Sequence, residues 1–232
     1  MTEISVTPAS ATRTAVVAGA TGLVGRLLTE RLCADPAVQA VHALVRREPG
    51  WTHPKLRVHV VRFDALPTLP ATDEVYLALG TTIALAGSQA AFRAVDLDAN
   101  LAVAQAALAA GVRRLGLVSA MGADAHSRIF YSRVKGELEA ALAAMPWRTL
   151  VIAQPSLIEG DRRALGQPRR PGEGRWSRVE ALLRPLLPRN WRAVAASDVA
   201  AALADAVPRM EGRRVLSSAA MQGAAARTET QE

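Results

Sequence analysis

The sequence is poor in cysteine, in aromatic residues and in lysine. Its 232 residues include a single cysteine, Cys33, so no disulfide can form within the chain. Only 4% of the residues are aromatic, and the apolar half of the composition consists mainly of alanine, valine and leucine. Such side chains favour helices packed on a parallel sheet over an aromatic-filled β-sandwich. With 50% apolar and 21% charged residues, the composition excludes an intrinsically disordered chain.

Long hydrophobic runs and ligand clusters are also lacking. The longest apolar stretches fall short of the roughly 20 residues that a membrane span requires, so we predict no membrane partner. The first 13 residues do not have the pattern of a secretory signal, and together with the lone cysteine this predicts a cytoplasmic location. The four histidines are dispersed, without the spacing of metal ligands, so no metal site is predicted.

The positive charge is concentrated in one segment. The net charge is +7, and residues 161–192 alone contain nine arginines and three acidic residues. The rest of the chain is close to neutral, which argues against nucleic-acid binding as the function of the molecule as a whole. Arginines in this segment predict a small anionic substrate or an acidic protein partner. A solvated loop is the simpler alternative.

Strand and helix patterns alternate along the chain. Short apolar runs at 14–18, 38–45, 56–62, 74–79, 114–119, 148–153 and 213–216 predict strands, and those at 38–45, 56–62 and 74–79 suit strands buried on both faces. Helical spacing follows at 23–33, 88–110, 127–145, 176–187 and 197–207. This alternation predicts an α/β fold with a doubly wound parallel sheet, which is Rossmann-like.

A glycine motif, GATGLVG at residues 19–25, lies between the first predicted strand and the first predicted helix. Gly19 suits a turn with unusual dihedral angles, Gly22 lets a pyrophosphate approach the backbone, and Gly25 allows close packing of helix on strand. The N-terminus of the helix then supplies free N–H groups. In this context the motif predicts a dinucleotide site, although its spacing differs from GxGxxG.

Two arginines, Arg46 and Arg47, stand at the end of the second predicted strand. An acidic residue at that place would bind the ribose 2′-hydroxyl of NAD, and none is present. Guanidinium groups suit a 2′-phosphate, so NADP(H) is predicted over NAD(H).

Tyr131 and Lys135 lie four residues apart in a predicted helix and therefore share one face. A nearby ammonium group favours the phenolate form of tyrosine, and such a pair can exchange a proton with a substrate oxygen. An exposed tyrosine beside a surface lysine is the alternative.

Together these segments resemble the short-chain dehydrogenase/reductase superfamily, in its extended or atypical branch. The resemblance extends to the Tat-interacting-protein oxidoreductase-like group and its bacterial epimerase/dehydratase-like relatives. It rests on seven segments, which span about residues 14–216: GATGLVG (19–25), LVRR (44–47), LALGTT (77–82), FRAVDLDAN (92–100), LVSAMGAD (117–124), YSRVKGELE (131–139) and QPSLIEGDR (154–162).

The resemblance implies roles for individual residues. Tyr131 would be the general acid or base, and Lys135 would bind the nicotinamide ribose. The other implied cofactor contacts are Gly19, Thr21, Gly22, Leu23, Val24 and Gly25 at the pyrophosphate, Arg46 and Arg47 at the 2′-phosphate, Asp64 at adenine, Leu79, Gly80 and Thr81 at the ribose, and Pro155 and Ser156 at nicotinamide. The pattern along the chain also predicts one domain over 14–218 with a substrate cap at 156–192, between flexible ends at 1–13 and 219–232.

One position departs from the superfamily pattern. Ala120 occupies the place where the superfamily has a serine that orients the substrate carbonyl. The neighbouring Ser119 remains the candidate for that role, although successive side chains of a strand point to opposite faces. The sequence therefore predicts an NADP(H)-dependent oxidoreductase acting on a small carbonyl or alcohol. The alternative is a non-catalytic, NADPH-responsive regulator that binds a protein partner through residues 161–192.

Overall fold

Seven apolar segments become the strands of one parallel sheet. The computed structural model describes residues 12–160 and 188–229. Within them the sheet strands have the order β3-β2-β1-β4-β5-β6-β9, and each pairs with its neighbours in parallel. The strands are β1 (Arg13–Ala18), β2 (Val38–Val45), β3 (Leu56–Val60), β4 (Glu74–Leu77), β5 (Arg114–Val118), β6 (Thr149–Gln154) and β9 (Gly212–Ser217). Two further strands, β7 (Ile158–Glu159) and β8 (Val194–Ala195), pair with each other outside the sheet.

The strand order reverses between β1 and β4. From β1 the chain builds outward through β2 to β3, and it then returns to the other side of β1 to begin β4. Such a reversal opens a crevice at the carboxyl ends of the two central strands, which is where open α/β sheets bind ligands. The predicted α/β class, a doubly wound parallel sheet of Rossmann type, is confirmed.

Helices cover both faces of the sheet. The α-helices are α1 (Leu23–Ala34), α2 (Ile83–Ala86), α3 (Gln89–Arg93), α4 (Asn100–Ala109), α5 (Phe130–Ala143), α6 (Ala196–Arg209), α7 (Ser218–Met221) and α8 (Ala224–Glu229). On one face α1 and α6 pack together and bury Leu28 and Leu203. On the other face α4 and α5 bury Val103 and Leu138. Both faces of β1 are thus covered, and the side chains from Ala15 to Ala18 are inaccessible to solvent.

The helix expected over 88–110 is interrupted. The segment consists of α3, a π-helical turn at Ala94–Ala99, and α4. A π-turn inserts one extra residue into a helix and is often found at functional sites.

Residues 219–229 also differ from their prediction as a flexible tail. They belong to α7 and α8, and Met221 is fully buried. The Asp198 carboxylate on α6 accepts hydrogen bonds from the backbone N–H groups of Gly223 and Ala225, at 2.9 and 3.0 Å. This part of the chain is held on α6 by an apolar anchor and by two hydrogen bonds. The predicted flexible N-terminus, apart from its last two residues, and most of the predicted cap lie outside the described residues.

Candidate functional site

The turn between β1 and α1 is built on glycines. Gly19 has a φ of +88°, and a Cβ atom there would lie 2.5 Å from the carbonyl oxygen of Ala78. A Cβ atom on Gly25 would lie 2.1 Å from the carbonyl oxygen of Gly19. Neither position can take a larger residue without displacing backbone. Gly22 precedes the first residue of α1, and the first helical turn carries no acidic side chain. The N-terminal N–H groups and the positive end of the helix dipole are therefore free to attract an anion.

A cavity of about 570 Å³ opens beside this turn. It lies at the carboxyl ends of β1, β2 and β4, where the fold predicts a ligand. Several residues that the sequence assigned to the cofactor line it, namely Gly19, Thr21, Gly22, Arg46, Asp64, Leu79 and Gly80. The structure thus brings the glycine turn, the end of β2 and the end of β4 to one place.

The two arginines after β2 are placed differently with respect to the cleft. Both side chains are exposed, and Arg46 lines the cavity whereas Arg47 does not. Close by, the Asp64 carboxylate accepts hydrogen bonds from the Arg62 guanidinium, at 2.8 and 3.1 Å. This pairing lowers the pKa of Asp64. The Asp64 charge is therefore already matched by a neighbouring cation.

A second cavity of about 730 Å³ continues from the first. The two share Gly22, Arg46, Leu79 and Gly80, so they form one cleft that runs across the carboxyl edge of the sheet. Its lining contains most of the remaining predicted site residues: Leu23, Val24, Thr81, Ser119, Tyr131, Lys135, Pro155 and Ser156. Gly25 and Arg47 are the predicted residues that line neither cavity.

Tyr131 and Lys135 stand one turn apart on α5 and differ in exposure. Tyr131 is 37% exposed, and its ring lies 5.7 Å from that of Phe92. Lys135 is buried, and its Nζ atom lies 2.7 Å from Oδ1 of Asp96. The ammonium group is therefore held by a carboxylate inside the cleft, while the phenol remains accessible to a ligand.

Ser119 is committed to another partner. Its side chain is buried, and its Oγ–H donates to the Glu139 carboxylate on α5. Gln154 Nε2 also donates to both oxygens of Glu139, at 3.0 Å each. A serine has only one hydroxyl proton, so Ser119 has none left for a substrate carbonyl in this arrangement. Ala120 lines the cleft beside it and offers no hydroxyl.

Three polar residues in or next to the site were not predicted as functional: the buried Asp96 and Glu139, and the half-buried Gln154. Asp96 stands in a largely apolar helical stretch, and an acid that is buried there is expected to have a partner. Glu139 follows Lys135 by four residues, a spacing that normally indicates a surface ion pair. The structure instead gives these two residues separate partners.

The cleft satisfies the requirements of a dinucleotide at both ends. A backbone cradle that excludes Cβ atoms and a helix N-terminus suit a pyrophosphate. Arg46 at one end and the Lys135 ammonium at the other offer charged donors to hydroxyl and phosphate groups. The residues present therefore fit NAD(P)(H).

Residues 12–160 and 188–229 contain no group of three or more histidine, cysteine, aspartate or glutamate side chains arranged to bind a metal. No helix in the same ranges combines the length and the apolar character needed to cross a bilayer. Seven of the nine arginines of 161–192 fall outside the described residues, and only Arg189 and Arg192 fall within them.

Fungal proteins with the name FMP52 are similar to this chain. Protein FMP52 of Candida albicans is 31% identical over 184 residues, which cover 73% of this chain and 80% of the fungal protein. Protein FMP52 of Eremothecium gossypii is 37% identical over 151 residues, which cover 64% and 67%.

Both relatives are named as mitochondrial proteins, which contradicts the predicted cytoplasmic location. The prediction was wrong because its main premise does not separate the two compartments. A lone cysteine argues only against a disulfide-forming environment.

Among solved structures, MoeE5 in complex with UDP-glucose and NAD has a similar fold. The TM-score is 0.63, the sequence identity is 20%, and the match covers 88% of this chain and 75% of that one. The NAD(P)H-binding family model matches residues 19–148, which include the glycine turn, both arginines, Tyr131 and Lys135. The chain therefore belongs to the NAD(P)H-binding family.

Proposed function

We propose that this protein is an NADP(H)-dependent oxidoreductase that transfers a hydride to or from a small carbonyl or alcohol substrate. One observation supports this above the others: Tyr131 and Lys135 line the same cleft as the glycine turn. A proton-transferring side chain and a nucleotide cradle in one cleft are the minimum that such a reaction needs.

The backbone of the glycine turn holds the pyrophosphate in this proposal. N–H groups at the start of α1 point toward the position of an anion, and the helix dipole adds a partial positive charge. Gly19 and Gly25 keep the backbone close enough for contact, because neither carries a Cβ atom. The bound NADP(H) supplies or accepts the hydride.

We assign the preference for NADP(H) to the end of β2. Arg46 lines both parts of the cleft, and Arg47 is exposed beside it. The residues directly after β2 are these two arginines, so a ribose 2′-hydroxyl finds no carboxylate there. A 2′-phosphate would gain charge-assisted hydrogen bonds from the guanidinium group of Arg46.

Tyr131 is the proposed general acid or base. Its phenol is accessible from the cleft, and Lys135 lies one helical turn further along α5. In reduction the Tyr131 O–H gives its proton to the substrate oxygen, and in oxidation the phenolate takes the proton back. Ser119 has a structural role in this proposal, because its hydroxyl donates a hydrogen bond to the Glu139 carboxylate.

We propose a small anion as the substrate. The Oγ–H of Ser156, a residue of the cleft, donates to the carbonyl oxygen of Arg192 at 2.6 Å. This bond connects the end of the arginine-rich segment to the cavity that Tyr131 and Lys135 line. A carboxylate or phosphate ester would be attracted to such an entrance.

A non-catalytic regulator is the second candidate. The sequestered Ser119 and the methyl side chain of Ala120 favour it, since both remove the hydroxyl that would orient a carbonyl. In that case the cleft would sense NADPH while residues 161–192 bind a protein partner.

Replacing Tyr131 by phenylalanine separates the two candidates. We expect the wild-type protein to oxidise NADPH in the presence of at least one member of a panel of small aldehydes and ketones, including carboxylate-bearing ones. Tyr131→Phe should lower kcat by at least about 100-fold and leave NADPH affinity nearly unchanged, because it removes proton transfer alone.

Tyr76, the second tyrosine of the chain, provides the matched control. It is fully buried, its hydroxyl donates to Glu74 at 2.5 Å, and it does not line the cleft. Tyr76→Phe should retain wild-type turnover. Wild-type turnover in Tyr131→Phe would overturn the assigned proton donor, and an inactive wild-type protein that binds NADPH would support the regulator.

A further inference from the structure

An ion pair whose two side chains are both buried lies in the cleft. The Asp96 and Lys135 side chains are 1% and 5% exposed, and Oδ1 of Asp96 lies 2.7 Å from Nζ of Lys135. They come from different elements, the π-helical turn and α5. Both residues line the cleft, so the pair belongs to the surface that a cofactor would touch.

The second oxygen of Asp96 ties the pair to the loop after β4. Oδ2 accepts a hydrogen bond from the backbone N–H of Thr81 at 2.8 Å. The preceding residue is Gly80, where a Cβ atom would lie 3.5 Å from Oδ1 of Asp96 and 3.8 Å from Nζ of Lys135. The pair therefore packs directly against the loop that the sequence assigns to the ribose.

Asn100 holds the π-helical turn that carries Asp96. Asn100 Nδ2, one turn further on, donates to the carbonyl oxygens of Val95 and Asp96, both at 3.2 Å. It also approaches the carbonyl oxygen of Leu79 at 3.4 Å. The Asn100 side chain thereby connects the π-helical turn to the end of β4.

Stability alone does not explain the pair. Burying two charges costs several kcal/mol of desolvation per ion, and replacement by apolar residues is often neutral or stabilising. A lysine ammonium has three N–H donors, and the Asp96 carboxylate contacts the group from one side only. The remaining donors are then left for a ligand in the cleft.

We infer that Asp96 is a positioning residue for cofactor binding, which acts by holding the charged amine of Lys135 toward the nicotinamide ribose. This inference rests on the proposed function of the cleft. Asp96 itself need not touch the cofactor, because its carboxylate acts by confining a lysine side chain that has four rotatable bonds. Without it, the amine would be free to turn away from the ribose.

A double-mutant cycle on NADPH affinity tests this inference. Asp96→Asn removes the charge and retains an oxygen that can accept from Thr81. We expect it to weaken NADPH binding about 10-fold in the wild-type background, equivalent to one charge-assisted hydrogen bond. In the Lys135→Met background the same change should alter the affinity by less than about 2-fold, because a residue that acts through Lys135 has nothing left to position. Lys135→Gln replaces Lys135→Met if the latter does not fold.

Glu74→Gln is the matched control. Glu74 is a fully buried carboxylate that also pairs with a cation, at 2.9 Å from Nε of Arg13, but it lies at the start of β4, away from the cleft. This variant should bind NADPH as the wild-type protein does.

Two results would count against different claims. If Asp96→Asn binds NADPH with wild-type affinity while Lys135→Met binds weakly, Asp96 is only structural and the inference is overturned. If Lys135→Met binds like the wild-type protein, or if the wild-type protein does not bind NADPH, the proposed function of the cleft is itself overturned.

Discussion

At the scale of single residues, a buried carboxylate far from the cleft links pH to stability. Glu74 has no solvent-accessible side-chain surface, and burial raises its pKa from the ordinary value of 4.5. The hydroxyl of Tyr76 and the charge of Arg13 act in the opposite direction, but burial outweighs them. The folded protein therefore binds this proton more tightly than the unfolded chain does.

The pH dependence follows from that difference. The contribution of protonated Glu74 to the free energy of unfolding is fully present below about pH 4.5 and is lost as the pH rises through the raised pKa of the folded state. Glu74→Gln cannot ionise and should lack this dependence. Urea unfolding of both proteins between about pH 4 and 7 measures the difference. We expect the wild-type protein to lose stability relative to the variant as the pH rises, and a gain would contradict the assignment.

Site residues differ in how far the sequence could predict them. The glycine turn was predictable because its requirements are local: a positive φ at Gly19 and space at Gly25 depend on a single strand, turn and helix. The partners of Lys135 and Ser119 were not, because they depend on how distant segments pack. Ser119 lines the cleft, yet its hydroxyl donates its hydrogen bond to Glu139. Only the packed structure shows that commitment.

At the scale of elements, the short helix α7 acts as an anchor. Met221 is fully buried and packs in the same apolar core as α1 and α6. At the start of α7, the Ser218 Oγ atom accepts a hydrogen bond from the backbone N–H of Ser156 at 2.7 Å. Residues near the C-terminus therefore support the part of the cleft that follows β6.

Met221→Ala should lower the free energy of unfolding by about 2–5 kcal/mol, because it removes a buried side chain and leaves a cavity. Met121, which is 36% exposed, provides a control of the same chemistry. Met121→Ala should change stability by no more than about 0.5 kcal/mol. Urea unfolding of the two variants compares them, and an equal effect would show that residues 218–229 do not anchor on α6.

Helix prediction succeeded where the pattern was amphipathic and failed where it was not. The periodicity of α1 and α6 was sufficient, and both were expected within a few residues of their observed ends. In the segment 88–110 most side chains are small and apolar, so the sequence shows no narrow apolar face. The extra residue of the π-turn at Ala94–Ala99 therefore leaves no detectable change in periodicity. Small anchors such as Met221 were missed because one buried side chain gives no periodicity.

At the scale of the whole molecule, the order of strands and helices was sufficient to predict the fold. Alternating strands and helices permit few topologies, since parallel crossovers are right-handed, and the glycine motif marks the first strand. The crevice between β1 and β4 follows from that topology, and most of the predicted site residues line it. The cellular location could not be predicted from the fold, because a targeting signal is recognised by a receptor and does not depend on the topology of the sheet.

A crystal structure with bound NADPH is the most direct test of the central claim that one cleft holds this cofactor from Arg46 to Tyr131. We predict a 2′-phosphate in contact with Arg46, a pyrophosphate on the N–H groups at the start of α1, and a nicotinamide ring in the cavity that Tyr131 and Lys135 line. The claim would be contradicted by a 2′-phosphate that faces solvent together with a nicotinamide ring bound outside that cavity.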